Sequence, residues 1–158
     1  MFLKRQTSPA LPINIPTGTA LPDLISEVEA FRGKPMRILE VPALAGGALC
    51  GVWFATEAED LILHAPSESP LHREQFILHE LSHMLLRHDE RHDRHVDSLP
   101  AEHQPAPELT ALAEGPVEKV LTRAGLDREE ERDAERLADQ LAMHMRRHPS
   151  SAFSDIFG

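Results

Sequence analysis

Aromatic residues are scarce in this chain: six Phe and one Trp among 158 residues. With 41% hydrophobic residues, the core must be built mainly from aliphatic side chains, and part of the chain is expected outside it as tail or loop. Cysteine occurs once, at Cys50, which excludes an internal disulfide and any zinc finger built on several cysteines. Cys50 itself reads as a small buried apolar residue. Cations are few, with 16 Lys plus Arg against 26 Asp plus Glu, a net charge of −10 with neutral His. That balance argues against direct nucleic-acid contact, whose affinity comes largely from cationic neutralisation of phosphates. It argues equally against an anionic membrane surface. There is no apolar run of about 18 residues, the length a membrane span needs. Lys4 and Arg5 have no apolar stretch behind them, so no secretory leader is expected and the expected compartment is the cytoplasm. One residue type is abundant instead: histidine, ten in the chain.

The length fits one domain, large enough to bury a core without staples. Residues 1–20 carry Pro9, Pro12 and Pro16 and read as a flexible arm. Residues 21–148 read as the domain, and 149–158 as a tail. Leu21, Leu24, Ile25, Val28 and Phe31 recur at helical spacing, with Gly33 to cap the helix and Pro35 to stop it. Residues 36–41, 51–56 and 61–64 read as three short strands, the last two joined by a tight polar turn. Ser69-Pro70 opens a helix to about His88. Residues 89–107 are polar and without period, and read as a loop. A helix is expected over 116–124, ending at Gly125. Asp127, with Glu130 three residues on as capping-box partner, opens a long last helix. Helix, strands, then helices predict an α+β fold, with a small three-stranded sheet packed on the helix that starts at Pro70 and C-terminal helices beyond.

That helix carries His79-Glu80-Leu81-Ser82-His83, an HExxH motif. Two His at i and i+4 project to the same side of a helix, so both imidazoles can reach one Zn²⁺. Glu80 lies on the adjacent strip, where its carboxylate can act on a water as general base. With ten histidines in the chain, five letters prove little alone. The surroundings say more: Phe76, Ile77, Leu78, Leu81, Met84, Leu85 and Leu86 predict a helix buried nearly all round. Histidines and a glutamate on such a helix need a reason, because unpaired buried polar groups are costly. A catalytic zinc also needs a third protein ligand. The last helix offers Glu129, Glu130, Glu131, Asp133, Glu135 and Asp139 beside the apolar stripe of Ala134, Leu137, Ala138, Leu141 and Met145. Glu131 falls on the edge of that stripe, Glu135 and Asp139 progressively further round. Arg128, Arg132 and Arg136 intersperse these acids at helical spacings, so a solvated charged face is the competing reading. His88, His92 and His95 in HDERHDRH read as a solvated polar loop rather than a second metal site.

HREQFILHELSHMLLRH followed by EERDAERLADQLA resembles the ImmA/IrrE family of zinc metallopeptidases in its short bacterial form, over roughly residues 21–145. The resemblance implies a gluzincin-like metalloprotease core, with His79, His83 and Glu131 as Zn²⁺ ligands, Glu80 as base, and Glu135 holding a ligating histidine by hydrogen bond or standing in as alternative ligand. It implies a cytoplasmic endopeptidase, whose substrate is a helix-turn-helix repressor encoded nearby, and which is also labelled a toxin component of toxin–antitoxin modules. The alternative from another class is a non-proteolytic toxin or regulator, an interaction module in which zinc is structural and closed by four protein ligands.

Overall fold

The computed structural model describes residues 11–45, 51–91, 95–122 and 126–147. Helix α1 spans Leu21–Arg32 and buries Leu24 and Val28; Gly33 ends it at φ 76°, a left-handed position that glycine adopts without cost. Strands β1 (Met36–Glu40), β2 (Gly51–Thr56) and β3 (Asp60–His64) follow. β2 and β3 form an antiparallel hairpin, and β1 lies parallel to β3. The Thr56 hydroxyl closes the hairpin turn by accepting from the Ala58 and Glu59 N–H groups. Helix α2 covers Pro70–Leu85 and helix α3 His88–Arg91. Three-residue 3₁₀ turns follow at Val96–Ser98 and Ala101–His103, then helix α4 at Pro107–Thr110, strand β4 at Val117–Leu121 and helix α5 at Arg128–Arg146.

The fold is α+β, as expected, but the sheet is mixed and has four strands, in the order β1-β3-β2-β4. The extra strand is the segment expected to be a helix over 116–124. Val117, Val120 and Leu121 fit helical spacing, yet the outer edge of β2 offers Trp53 and Phe54 a partner, and β4 pairs there antiparallel with a bulge at Ala55/Thr56. Pairing along that edge overrides a weak local preference.

The sheet divides the core in two. Trp53, Ala55, Ile62 and Leu121 face α1, α2 and α5, packing with Leu24, Val28, Leu78, Leu81, Met84, Leu137 and Leu141. On the other face Val52, Phe54, Leu61, Leu63 and Val120 are covered by Val41 and Leu44 and by Val96, Leu99, Leu109 and Ala113. The stretch read as a polar loop over 89–107 therefore contributes apolar side chains to the second face. Gln104 stitches it together by donating from Nε2 to the carbonyls of Val96 and Leu99, at 2.7 and 3.0 Å. The arm reading of residues 1–20 is likewise corrected for its second half. Ile15 is 4% exposed, its carbonyl accepts from His144 Nε2 at 2.6 Å, and the Gly18 N–H donates to the His144 carbonyl at 3.0 Å. Residues 1–10, the tail 149–158, Cys50 and His92 lie outside the described residues.

Candidate metal centre

Helix α2 starts with Pro70 in its first turn and with Ser69 Oγ accepting from the His72 N–H. Its first turns are exposed, and every residue from Ile77 to Leu85 is buried. The polar groups there are largely accounted for. Ser82 Oγ donates to the Leu78 carbonyl at 2.7 Å, and the two imidazoles turn toward α5. Helix α5 is set in register by the capping box read from the sequence: Asp127 accepts from the Glu130 N–H at 2.8 Å, and Glu130 accepts from the Asp127 N–H at 3.3 Å. Its buried stripe of Ala134, Leu137, Ala138 and Leu141 packs on α2 and carries Glu131 to the histidines.

Three side chains converge. His79 Nε2 and His83 Nε2 are 3.1 Å apart, Glu131 Oε2 is 3.2 Å from His79 Nε2, and Glu131 Oε1 is 3.1 Å from His83 Nε2. Ligands held at about 2.0–2.1 Å by a tetrahedral ion stand roughly 3.3 Å from one another. The triangle therefore has the size, and two imidazoles plus a carboxylate have the chemistry, to hold a metal ion. Among the described residues it is the one group of three or more such side chains. Burial pushes the Glu131 carboxyl up, but the hydrogen bonds and charge of His79 and His83 outweigh it and hold the group well below the usual carboxylate range. Glu131 is thus an anion at neutral pH. Glu80, the candidate base, is 8% exposed on the same helix.

The other acids of the last helix stay away from the triangle. Glu130 is used in the cap, and Asp139 is exposed and accepts from Gln75 Nε2 at 3.2 Å. Glu135, expected to hold a ligating histidine, is exposed on the rim of an open depression of about 330 Å³ that Glu131 also lines. His83 is contacted on its other nitrogen by His88, whose Nδ1 lies 2.7 Å from His83 Nδ1 and whose ring is fully buried. This corrects the reading of HDERHDRH as solvated, at least for its first two residues, since Asp89 is also buried. His72, His95 and His103 are exposed, and His64 is buried with Nδ1 at 3.0 Å from the Ala65 carbonyl.

Behind His88 lies a buried charge cluster that the sequence did not signal. Arg32 donates to Asp60 (2.9 and 3.1 Å) and to Asp89 (3.2 and 3.0 Å), while Trp53 Nε1 donates to Asp60 at 3.0 Å. The Arg32 guanidinium also lies over the Trp53 ring, 4.9 Å from its centroid. Among the described residues no helix is long and apolar enough to cross a membrane. Comparison with family models, with curated proteins and with solved structures finds no match to this chain.

Proposed function

We propose that this chain is a zinc-dependent endopeptidase. The observation that carries the reading is the triangle of His79, His83 and Glu131, three donors of catalytic-site type beside a buried glutamate that follows the first histidine. A structural zinc would call for a fourth protein ligand. Among the described residues no fourth metal-binding side chain joins the triangle, and the buried His88 has its Nδ1 2.7 Å from Nδ1 of His83, the nitrogen on the side away from the triangle. That favours the enzyme over the interaction module.

His79, His83 and Glu131 would hold the ion, and zinc so bound polarises a peptide carbonyl and makes water easier to deprotonate. Glu80 takes a proton from the attacking water as general base and returns it to the leaving amine nitrogen as general acid. The outer strand β1 offers main-chain groups with which an extended peptide can pair, whereas His95 already bridges Lys119 on the outer side of β4. Such pairing fixes the substrate's course without reading its sequence. The resemblance to ImmA/IrrE peptidases makes a helix-turn-helix repressor the substrate to try, within the same compartment, the cytoplasm.

The test is cleavage of such a repressor by the zinc-loaded chain, followed by gel and mass spectrometry. Cleavage should stop on chelation. Glu80→Gln should keep the metal and lose at least ~10²-fold in rate, since an amide cannot accept the proton. A zinc-loaded parent that cuts nothing, or a Glu80→Gln variant that cuts as fast as the parent, overturns the reading.

A further inference from the structure

We propose that His88 is a positioning residue for the metal centre, accepting the Nδ1 proton of His83 and so fixing which nitrogen His83 offers to the ion and how its ring is turned. The inference rests on reading His79, His83 and Glu131 as metal ligands. It concerns a residue outside the HExxH motif and outside α5.

The two nitrogens of His83 face opposite ways. Nε2 is 3.1 Å from both His79 Nε2 and Glu131 Oε1, while Nδ1 is 2.7 Å from His88 Nδ1. At that separation one Nδ1 donates and the other accepts. When the Nε2 lone pair of neutral His83 is given to a cation, its proton is on Nδ1 and is donated to His88. The reverse arrangement puts the His83 proton on Nε2 and leaves no lone pair for a metal. A hydrogen-bond acceptor behind a ligating imidazole commonly orients it and raises its basicity. Here a second imidazole occupies that place. Both rings are buried, His83 at 1% and His88 at 0% exposure, so water does not substitute for the contact.

The backbone is bent to make this contact. In an unbroken helix residue 88 would project about 140° away from residue 83. Instead α2 ends at Leu85, and Arg87 takes φ 56°, after which α3 brings His88 back against His83. A left-handed conformation is strained for a non-glycine residue, so the bend requires fixed surroundings. They are present in the neighbouring residue. Asp89 is gripped by Arg32, which Asp60 also holds, and its carbonyl accepts from Lys119 Nζ at 3.1 Å. Helix α1 and strands β3 and β4 thus hold the turn on which His88 stands.

The experiment measures Zn²⁺ affinity by chelator competition and Co²⁺ absorption spectra on the full chain, for the parent, His88→Leu and His88→Asn. Asn keeps an acceptor near the place of Nδ1, whereas Leu fills the space without one. The expected result is a 10–100-fold weaker Kd with altered Co²⁺ bands for His88→Leu, and an effect well under tenfold with parental bands for His88→Asn. If His88→Leu does not fold, His88→Gln, whose amide reaches the place of the far ring nitrogen, takes its role under the same criterion. Equal affinity and equal spectra for the parent and the acceptor-less variant overturn the inference and leave the metal centre standing. Equal weakening in both variants reduces His88 to packing and overturns it too. A parent that takes up no zinc overturns the metal reading itself.

Discussion

Replacing Glu131 by Ala removes one corner of the proposed metal triangle, and its effect can be set against that of Glu135→Ala one turn further on. The Glu131 carboxylate meets both imidazoles, at 3.2 and 3.1 Å, whereas Glu135 is exposed and takes no part in those contacts. Zinc bound by four ligands in small folded sites is worth ~10–16 kcal/mol, or ~2.5–4 kcal/mol per ligand. Losing one should therefore weaken binding by ~10²–10³-fold. The loss should sit at the upper end, because Glu131 is the one anion of the three and supplies the charge that offsets the cation. Glu135→Ala should shift the affinity by less than about tenfold, below the effect expected of a group hydrogen-bonded to a ligand. Competition against a chelating dye, with metal content read by elemental analysis, measures both variants beside the parent. Retention of zinc within tenfold by Glu131→Ala would refute the reasoning. So would loss of zinc in Glu135→Ala, which would place the ligand one turn along α5.

Three further outcomes follow from the packing around the site. Asp60→Asn leaves Arg32, 5% exposed at its side chain, with Asp89 as its remaining anion; thermal unfolding should report a loss of ~3 kcal/mol, and a drop in Tm of no more than a degree or two would contradict it. Glu59 is held below the usual glutamate range by its hydrogen bonds from Arg37, at 2.6 and 2.8 Å, against the opposing effect of burial and with help from the Glu114 N–H. Its folded value lies below its unfolded one, so its stabilisation is complete above about pH 4.3 and is lost as pH falls through the folded value. Glu59→Gln should lower stability at neutral pH by ~1–3 kcal/mol and flatten that acid limb, and urea midpoints across pH 3–7 that run parallel to the parent's would refute the assignment. Gly51→Ala would set a Cβ 1.9 Å from Phe76 Cζ; displacing the ring should cost ~1–3 kcal/mol in urea unfolding and be largely recovered by adding Phe76→Leu, and additive single-variant effects would count against it.

The parts of the centre that could be read from sequence are those set by helical geometry. His79 and His83 share a face because they are four residues apart, and Glu131 borders the stripe of α5 whose register Asp127 and Glu130 fix by capping. The α+β pattern was legible for the same reason, through α1, β2, β3 and α2. What was misread depends on partners far along the chain. Residues 117–121 satisfy helical spacing, and only the outer edge of β2 makes them a strand. Ile15 looked like part of a loose arm because its partner, His144, stands 129 positions away. His88 looked solvated because Asp89, Glu90 and Arg91 beside it are charged. The guanidinium that allows Asp89 to be buried belongs to Arg32, and no local signal marks Arg87 for a left-handed turn.

Arg32, Asp89 and His88 meet at one place, which bears on how the candidate centre is kept in order. Burying an imidazole or a carboxylate is tolerable only if each polar atom finds a partner. Trp53 answers Asp60, Asp60 and Asp89 answer Arg32, and next to Asp89 the ring of His88 answers His83. His83, His79 and Glu131 then close on one another. Without a cation, both Nε2 atoms can donate to the carboxylate, so the triangle can be satisfied by protons. A bound metal would require both Nε2 positions to be free of protons, with neutral His83 carrying its one proton on Nδ1 toward His88 and neutral His88 carrying its own on Nε2. The backbone turn at Arg87 and the grip of Arg32 hold the acceptor for that proton in place beforehand. If the three side chains take up a metal as proposed, the rearrangement is confined to protons, within side chains whose heavy atoms already stand about a ligand's separation apart.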